Sequence, residues 1–385
     1  MRAEHSSREV SRTALKTPLP VDSALAPLRA ALQAHRAAVL VATPGAGKTT
    51  RVPPALVDEG RVLVLQPRRA AARALARRVA EEQGWTIGRE VGWHVRFERR
   101  FSADTRVIFA TEGILTARLE QDPLLSNVST VVLDEFHERS VHADLGLAMA
   151  RQAWLARDDL RILVMSATID PGPVSRFLDD CPVVSVSGDP HPLTVAYEPD
   201  APLASVVARA LQERTGDVLC FLPGAREIDR EASAVASVAR AQGVRVLALH
   251  GSLPPEAQDE ALTPLSERRV ILATNIAETS VTVPHVRTVI DSGWQKVARY
   301  DAARAIDTLQ TERVSADAAD QRAGRAARLG PGLAIRLWSP RETLRTAREP
   351  DVARLRMLAR GHGDQVPGTF GRSLGDGVCG RREQV

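Results

Sequence analysis

Lysine is nearly absent from this chain of 385 residues: Lys16, Lys48 and Lys296 stand against 48 arginines. Arginine-favouring codon usage accounts for the composition, but the consequence is local, because a chain that so rarely uses lysine keeps one inside a glycine-rich loop. Cysteine is equally scarce. Cys181, Cys220 and Cys379 lie far apart, which excludes a disulfide framework and any CxxC-type zinc site. No apolar run approaches the ~18 residues needed to span a bilayer, and MRAEHSSREVSRTALK has no apolar centre, so it is not a signal peptide. The expectation is a cytoplasmic protein with no membrane partner. Neither sign of charge dominates, at 51 basic against 47 acidic residues. Mild basicity permits nucleic acid binding without establishing it.

What is present is an ordinary globular balance, 44% apolar and 25% charged, over a length that accommodates two or three domains. Ten short apolar runs alternate with segments of helical periodicity. They are AAVLVA, RVLVLQ, TRVIFAT, TVVLDE and RILVMSAT, then DVLCFLP, RVLALHG, RVILATN, RTVIDSG and LAIRLWS. Near-continuous apolar strands separated by helices predict parallel sheets covered on both faces. A Gly/Pro break in SVSGDPHPL divides the series. The reading is a tail over 1–16, a first α/β lobe over 17–187, a second over 188–345, and a tail over 346–385 that loses the strand–helix rhythm.

AAVLVA leads into Thr43-Pro44-Gly45-Ala46-Gly47-Lys48-Thr49-Thr50, followed by helix-like PPALVDEG. Strand, glycine-rich turn and helix is the context a phosphate-binding loop requires. Gly45 and Gly47 admit close backbone approach, the helix start offers free N–H donors, Lys48 neutralises β- and γ-phosphates, and the Thr49 hydroxyl ligates Mg2+. The first position of GxxxxGK[ST] is Ala42 rather than glycine. The acidic partner is the end of TVVL, in Asp134-Glu135-Phe136-His137. Asp134 would bind Mg2+ through water, and Glu135 would orient or deprotonate the attacking water. ATP and Mg2+ are the expected cofactors, while Glu138 and Arg139 read as local salt-bridge formers.

With ATPGAGKTT, DEFH and Ser166-Ala167-Thr168 in order, then ATNIAETSVTVP (273–284), VIDSGW (289–294) and QRAGRAAR (321–328), the chain resembles a superfamily-two DExH helicase. LDEFHERSVHADLGLA and LQPRRAAARALARRVA look like the bacterial HrpB-type ATP-dependent helicases of the DEAH/RHA group. The resemblance covers roughly residues 20–345. It implies an α/β fold of two tandem RecA-like P-loop lobes, each a mostly parallel sheet sandwiched by helices. It also implies a monomeric ATP-dependent helicase acting on single-stranded or partly duplex nucleic acid, RNA rather than DNA.

Carried over residue by residue, the resemblance makes Gln321 a nucleotide contact and Arg325 and Arg328 the arginines that reach over the γ-phosphate from the other lobe. Family members usually have glycine where Ala327 stands. Ser166 and Thr168 match the motif linking hydrolysis to strand separation, and equally fit a hydroxyl cap of the next turn. His137 would sense the γ-phosphate or act as a hydrogen-bonded support. Arg68, Arg69, Thr111, Gly113, Gly224, Thr274 and Asn275 match sugar–phosphate contacts, which give little base specificity. Residues 295–321 correspond to a hairpin that wedges into the duplex, with Tyr300 either stacking on a base or packing. Family members continue past the second lobe, so the segment from 346 is expected to be an aberrant or truncated tail. Two rival readings stay open: a strand clamp without turnover, and a DNA translocase of the same superfamily.

Overall fold

The computed structural model describes residues 18–188, 191–263, 265–278, 283, 285–301 and 306–345. The expected tails at 1–16 and 346–385, and the side chain of Tyr300, lie outside the described residues.

The first lobe runs α1 (Leu25–His35), β1 (Ala37–Ala42), α2 (Lys48–Ala55), β2 (Val62–Gln66), α3 (Arg69–Gln83), β3 (Val91–Val95) and β4 (Glu98–Arg100). It continues through β5 (Val107–Thr111), α4 (Glu112–Gln121), β6 (Thr130–Leu133), α5 (Val141–Ala156), β7 (Arg161–Ser166), α6 (Pro171–Phe177) and β8 (Val183–Val186). These strands form one sheet in the order β4-β3-β5-β2-β6-β7-β1-β8, parallel throughout except for the antiparallel β3–β4 pair. Successive side chains of each strand alternate between two apolar layers. Ala38, Leu40, Val62 and Val64 face α1, α2 and α3, while Val39, Leu63, Leu65 and Val164 face α4, α5 and α6. Burial on both faces is why VLVLQ is apolar almost without interruption.

The second lobe follows as β9 (Leu193–Tyr197), α7 (Leu203–Glu213), β10 (Asp217–Phe221), α8 (Ala225–Arg240), β11 (Arg245–Leu249), α9 (Pro255–Leu262), β12 (Arg269–Ala273) and β13 (Val286–Asp291). It ends with β14 (Trp294–Asp301), β15 (Ile306–Arg313), α10 (Ala316–Ala323) and β16 (Gly332–Arg336). Its sheet is fully parallel in the order β11-β12-β10-β13-β16-β9, and β14 and β15 form a separate antiparallel hairpin. α7 and α8 cover one face. On the other face, Phe221, Ile271 and Ala326 belong to an apolar cluster continuous with that of α1 to α3 in the first lobe. The two lobes therefore share a packed junction.

Among the described residues, six strands beyond the ten apolar runs are present. β3 and β4 make a turn at the sheet edge, β8 buries only Val186, β9 buries no residue and lies at an edge, and β14–β15 is the hairpin. β4, β8 and β9, with a face left uncovered, lack the continuous apolar signal, whereas β3 is buried but broken by Gly92 and His94. PPALVDEG is also not one helix: α2 ends at Ala55 with Pro53 and Pro54 inside it, and a 3-10 turn takes over at Val57–Glu59. No described helix is long and apolar enough to cross a membrane.

Candidate nucleotide site between the lobes

Because β5, β2, β6, β7 and β1 are adjacent and parallel, their carboxyl ends lie along one edge of the first sheet. That edge carries Thr111, Gln66, Asp134, Ser166 and the loop after Ala42. The loop turns through Gly45 and Gly47, both left-handed at φ +86° and +87°, before α2 starts at Lys48. A side chain at Gly47 would bring its Cβ to 2.5 Å from Leu19 Cδ1, whereas the same atom at Gly45 would meet nothing within 4 Å. Residues just before α1 brace the loop from behind, with Val21 N donating to the Ala46 carbonyl at 3.0 Å. Inside it, Ala46 N donates to the Thr43 carbonyl and Thr50 N to the Gly47 carbonyl.

Lys48 is buried, with Nζ 3.4 Å from both carboxylate oxygens of Glu135. Thr49 Oγ1 donates to Asp134 Oδ2 at 2.6 Å, and the fully buried Gln66 donates to the same oxygen at 2.8 Å. Burial, and then repulsion from Glu135, push the Asp134 carboxyl above its ordinary value. Burial also opposes charge on Glu135, but Lys48, His137, Arg328 and Arg325 together hold it below the usual value. His137 Nδ1 lies 3.6 Å from Glu135 Oε2 and 3.5 Å from Ser166 Oγ. Ser166 Oγ also accepts from Ile169 N at 3.2 Å, so the same hydroxyl caps its turn and meets His137.

The second lobe closes the site. Lys48, Glu135, His137 and Thr168 line a cleft of about 250 Å3 together with Gln321, Arg325 and Arg328. Burial, and then the neighbouring Arg328, lower the proton affinity of Arg325 well below its usual value, while Glu135 opposes the shift. The buried Arg325 and the half-buried Arg328, facing a lysine and a carboxylate, make a pocket suited to a polyanion. Arg325 Nε is held by the Glu278 carbonyl at 2.9 Å. Ala327 sits in the 3-10 turn Gly324–Ala327 and is not among the positive-φ residues, so its backbone does not demand glycine.

Two groups at this site do not stand out in the sequence pattern. Gln66 positions Asp134 from 68 residues away. Arg322 is fully buried and pairs with Glu278 Oε2 at 2.8 Å and Asp291 Oδ1 at 3.0 Å, which fixes the helix end bearing Arg325. The available signal was the threefold spacing of Arg322, Arg325 and Arg328, the period of a 3-10 turn.

The residues matched to strand contacts occupy helix starts outside this cleft. Thr111 is the N-cap of α4 with Gly113 in its first turn, Gly224 is the N-cap of α8, and Thr274 and Asn275 open a 3-10 turn after β12. Arg69 is exposed at the start of α3. Arg68 is engaged within the protein, donating to Glu138 Oε2 at 3.3 Å and to the Asn275 carbonyl of the second lobe. Arg139 forms the expected local ion pair, with Asp144 five residues on, whereas Glu138 pairs with Arg68, 70 positions back.

Residues 25–177 match the family described as DEAD/DEAH box helicase, and residues 202–330 match the helicase conserved C-terminal domain. The chain is 39% identical over 350 residues to the ATP-dependent RNA helicase HrpB of Escherichia coli, a match covering 87% of this chain and 43% of that protein. It is 36% identical over 356 residues to a probable ATP-dependent RNA helicase, the DHX35 homolog of Caenorhabditis elegans, covering 84% and 49% respectively. Its fold superposes on the crystal structure of the Escherichia coli DEAH/RHA helicase HrpB with a TM-score of 0.80 at 38% identity, over 87% of this chain and 45% of that one. The chain thus spans less than half the length of each of these relatives.

Proposed function

The chain belongs to the DEAD/DEAH box helicase family with two tandem RecA-like lobes, and we propose that it is the motor core of an ATP-dependent RNA helicase. In this reading it hydrolyses ATP to ADP and phosphate, coupled to movement along single-stranded or partly duplex RNA, as a cytoplasmic monomer. The observation that carries it is the meeting of Lys48 and Glu135 from one lobe with Arg325 and Arg328 from the other across a single cleft.

In the proposed reaction, the Thr43–Thr50 backbone cradles the phosphates and Lys48 neutralises their charge. Glu135, kept ionised by its cationic neighbours, orients the attacking water and takes up its proton. Gln321, Arg325 and Arg328 stabilise charge as it develops on the γ-phosphate, and they do so only when the lobes are closed. The donors at Thr49 and Asp134 are hard oxygens, and Asp134 carries charge that its surroundings under-compensate, so this pair fits Mg2+. When bound, Mg2+ supplies further neutralisation of phosphate charge. Arg69, Thr111, Gly113, Gly224, Thr274 and Asn275 are the proposed contacts to the strand backbone, and Arg68 joins them when the lobes part. Ser166 and Thr168, with His137, link the two events.

The test is the steady-state ATPase rate with and without single-stranded RNA. RNA is expected to raise the rate, and Lys48→Ala and Glu135→Gln each to lower kcat by about 100-fold or more. No Mg-dependent turnover under any strand condition would overturn the proposal. Competition between RNA and DNA strands of one sequence reads the sugar preference.

A further inference from the structure

The loop Glu135–Ser140 has contacts of two kinds along its length. Glu135 and His137 line the nucleotide cleft. Glu138 holds Arg68 at the head of α3. Ser140 Oγ accepts from Ala143 N at 2.9 Å, capping α5, and donates to Glu112 Oε2 at the head of α4. Glu135 and Arg139 bracket the loop in the left-handed region, at φ +52° and +48°. Non-glycine residues persist there only where surrounding contacts over-determine them. A displacement of either helix head is therefore passed to the loop rather than absorbed by it.

Glu112 stands between Thr111 and Gly113, the turn proposed to meet the strand, but its side chain points back into the protein. It faces Ser140, Glu138, Asp144 and Arg68. Burial first, then the two acids, lift its carboxyl to about 7, opposed by Ser140 and Arg68. α4 and α5 pack together along Leu115, Leu119 and Leu147, so the Ser140–Glu112 bond ties two already adjacent helices at their starting ends.

We propose that Glu112 and Ser140 are a positioning pair that carries strand binding at the Thr111–Gly113 turn to Glu135 and His137. The inference rests on the helicase reading. A strand seated on the N–H groups of α4 moves its first turn. Glu112 moves with it, and through Ser140 so do the cap of α5 and the loop ending there. The pair touches neither ATP nor strand, so its loss uncouples the two sites without removing either.

The test compares wild type, Glu112→Ala, Glu112→Gln and Ser140→Gly in ATPase titrations with single-stranded RNA. Glycine is a tolerated N-cap, so Ser140→Gly removes the hydroxyl while sparing α5, and it stands in if Glu112→Ala fails to fold. Glu112→Ala and Ser140→Gly are expected to lose about fivefold or more of the RNA stimulation. Their unstimulated rate and the RNA concentration at half-saturation stay within about twofold of wild type. Glu112→Gln still accepts from Ser140 and retains the stimulation. Unchanged stimulation, an equal fall of basal and stimulated rates, or a change confined to half-saturation overturns the pair. Wild type with no RNA response overturns the helicase reading itself, and the pair with it.

Discussion

Methionine at position 322 tests whether the second-lobe site is built on a buried ion cluster. Arg322 is fully buried, with Nε 2.8 Å from Glu278 Oε2, Nη1 3.0 Å from Asp291 Oδ1, and its guanidinium 4.9 Å from the Phe221 ring centre. Both acids are themselves buried. Burial pushes Asp291 above its ordinary value; Arg322 holds it down, and Glu278 adds to the upward push. Removing the guanidinium leaves two carboxyls facing each other in an apolar setting, a loss of about 3–5 kcal/mol. With a urea slope of about 2–3 kcal/mol per molar for a domain of this size, the midpoint falls by about 1–2.5 M. Tryptophan fluorescence reads the transition. The triple variant Arg322→Met, Glu278→Gln, Asp291→Asn is expected to recover at least about half of the loss, because the uncompensated charge is the main cost. The rate follows: Arg325 hangs on the Glu278 carbonyl, so the single variant also loses about tenfold in kcat at temperatures where it stays folded. A loss under about 1 kcal/mol, or a triple variant no better than the single, would refute the reasoning.

The two loop glycines are expected to respond unequally. Gly45→Ala places its methyl in open space and bears only the left-handed strain of about 1 kcal/mol, whereas Gly47→Ala also drives Cβ into Leu19; nucleotide titration should show ATP binding reduced in the first and abolished in the second. Glu112 governs a pH dependence. Its carboxyl is raised from 4.5 to about 7 on folding, so the folded state holds the proton longer, and stability present below about pH 4.5 is lost as pH rises through about 7. The full effect is about 3 kcal/mol, and melting curves of Glu112→Gln against wild type should agree near pH 5 and separate towards pH 8, with the variant more stable; parallel curves would contradict it. Across the lobe junction, Arg77 Nη1 lies 2.5 Å from Asp259 Oδ2 and the buried Arg73 reaches both Asp259 and Gln258. Asp259→Ala should open the lobes, raising the radius of gyration in solution scattering and the KM for ATP by about tenfold at preserved kcat.

How much of this arrangement was legible depended on whether a residue's partner is near it in sequence. β1, β2, β5, β6 and β7 announce themselves because both faces are covered, and the glycine-rich turn announces itself because its two left-handed glycines and the lysine that starts α2 fall within a few consecutive residues. β4, β8 and β9 carry no such signal, since an edge strand with an exposed side need not be apolar, and β3, though buried, interrupts its apolar residues with Gly92 and His94. The supporting polar groups are harder still. Gln66 matters because of Asp134, 68 positions on, and Arg322 because of Glu278, 44 positions back. Nothing in either residue type announces a partner at that distance.

Arg68 illustrates the same limit from the other side. At the head of a helix on the carboxyl edge, an arginine is well placed for a phosphate, and the resemblance assigns it one. Its guanidinium is instead spent on Glu138 and on the Asn275 carbonyl across the junction. The two descriptions agree if a strand and the closed lobe arrangement compete for that guanidinium. On the proposed function, opening the lobes would free Arg68 for phosphate, and closing them would withdraw it while bringing Arg325 and Arg328 to the nucleotide. One side chain would then grip the strand in one half of the cycle and release it in the other, as a translocating motor requires. Arg68→Ala is accordingly expected to weaken RNA binding most without nucleotide and least with a non-hydrolysable ATP analogue; equal weakening in both states would show that closure leaves its grip unchanged.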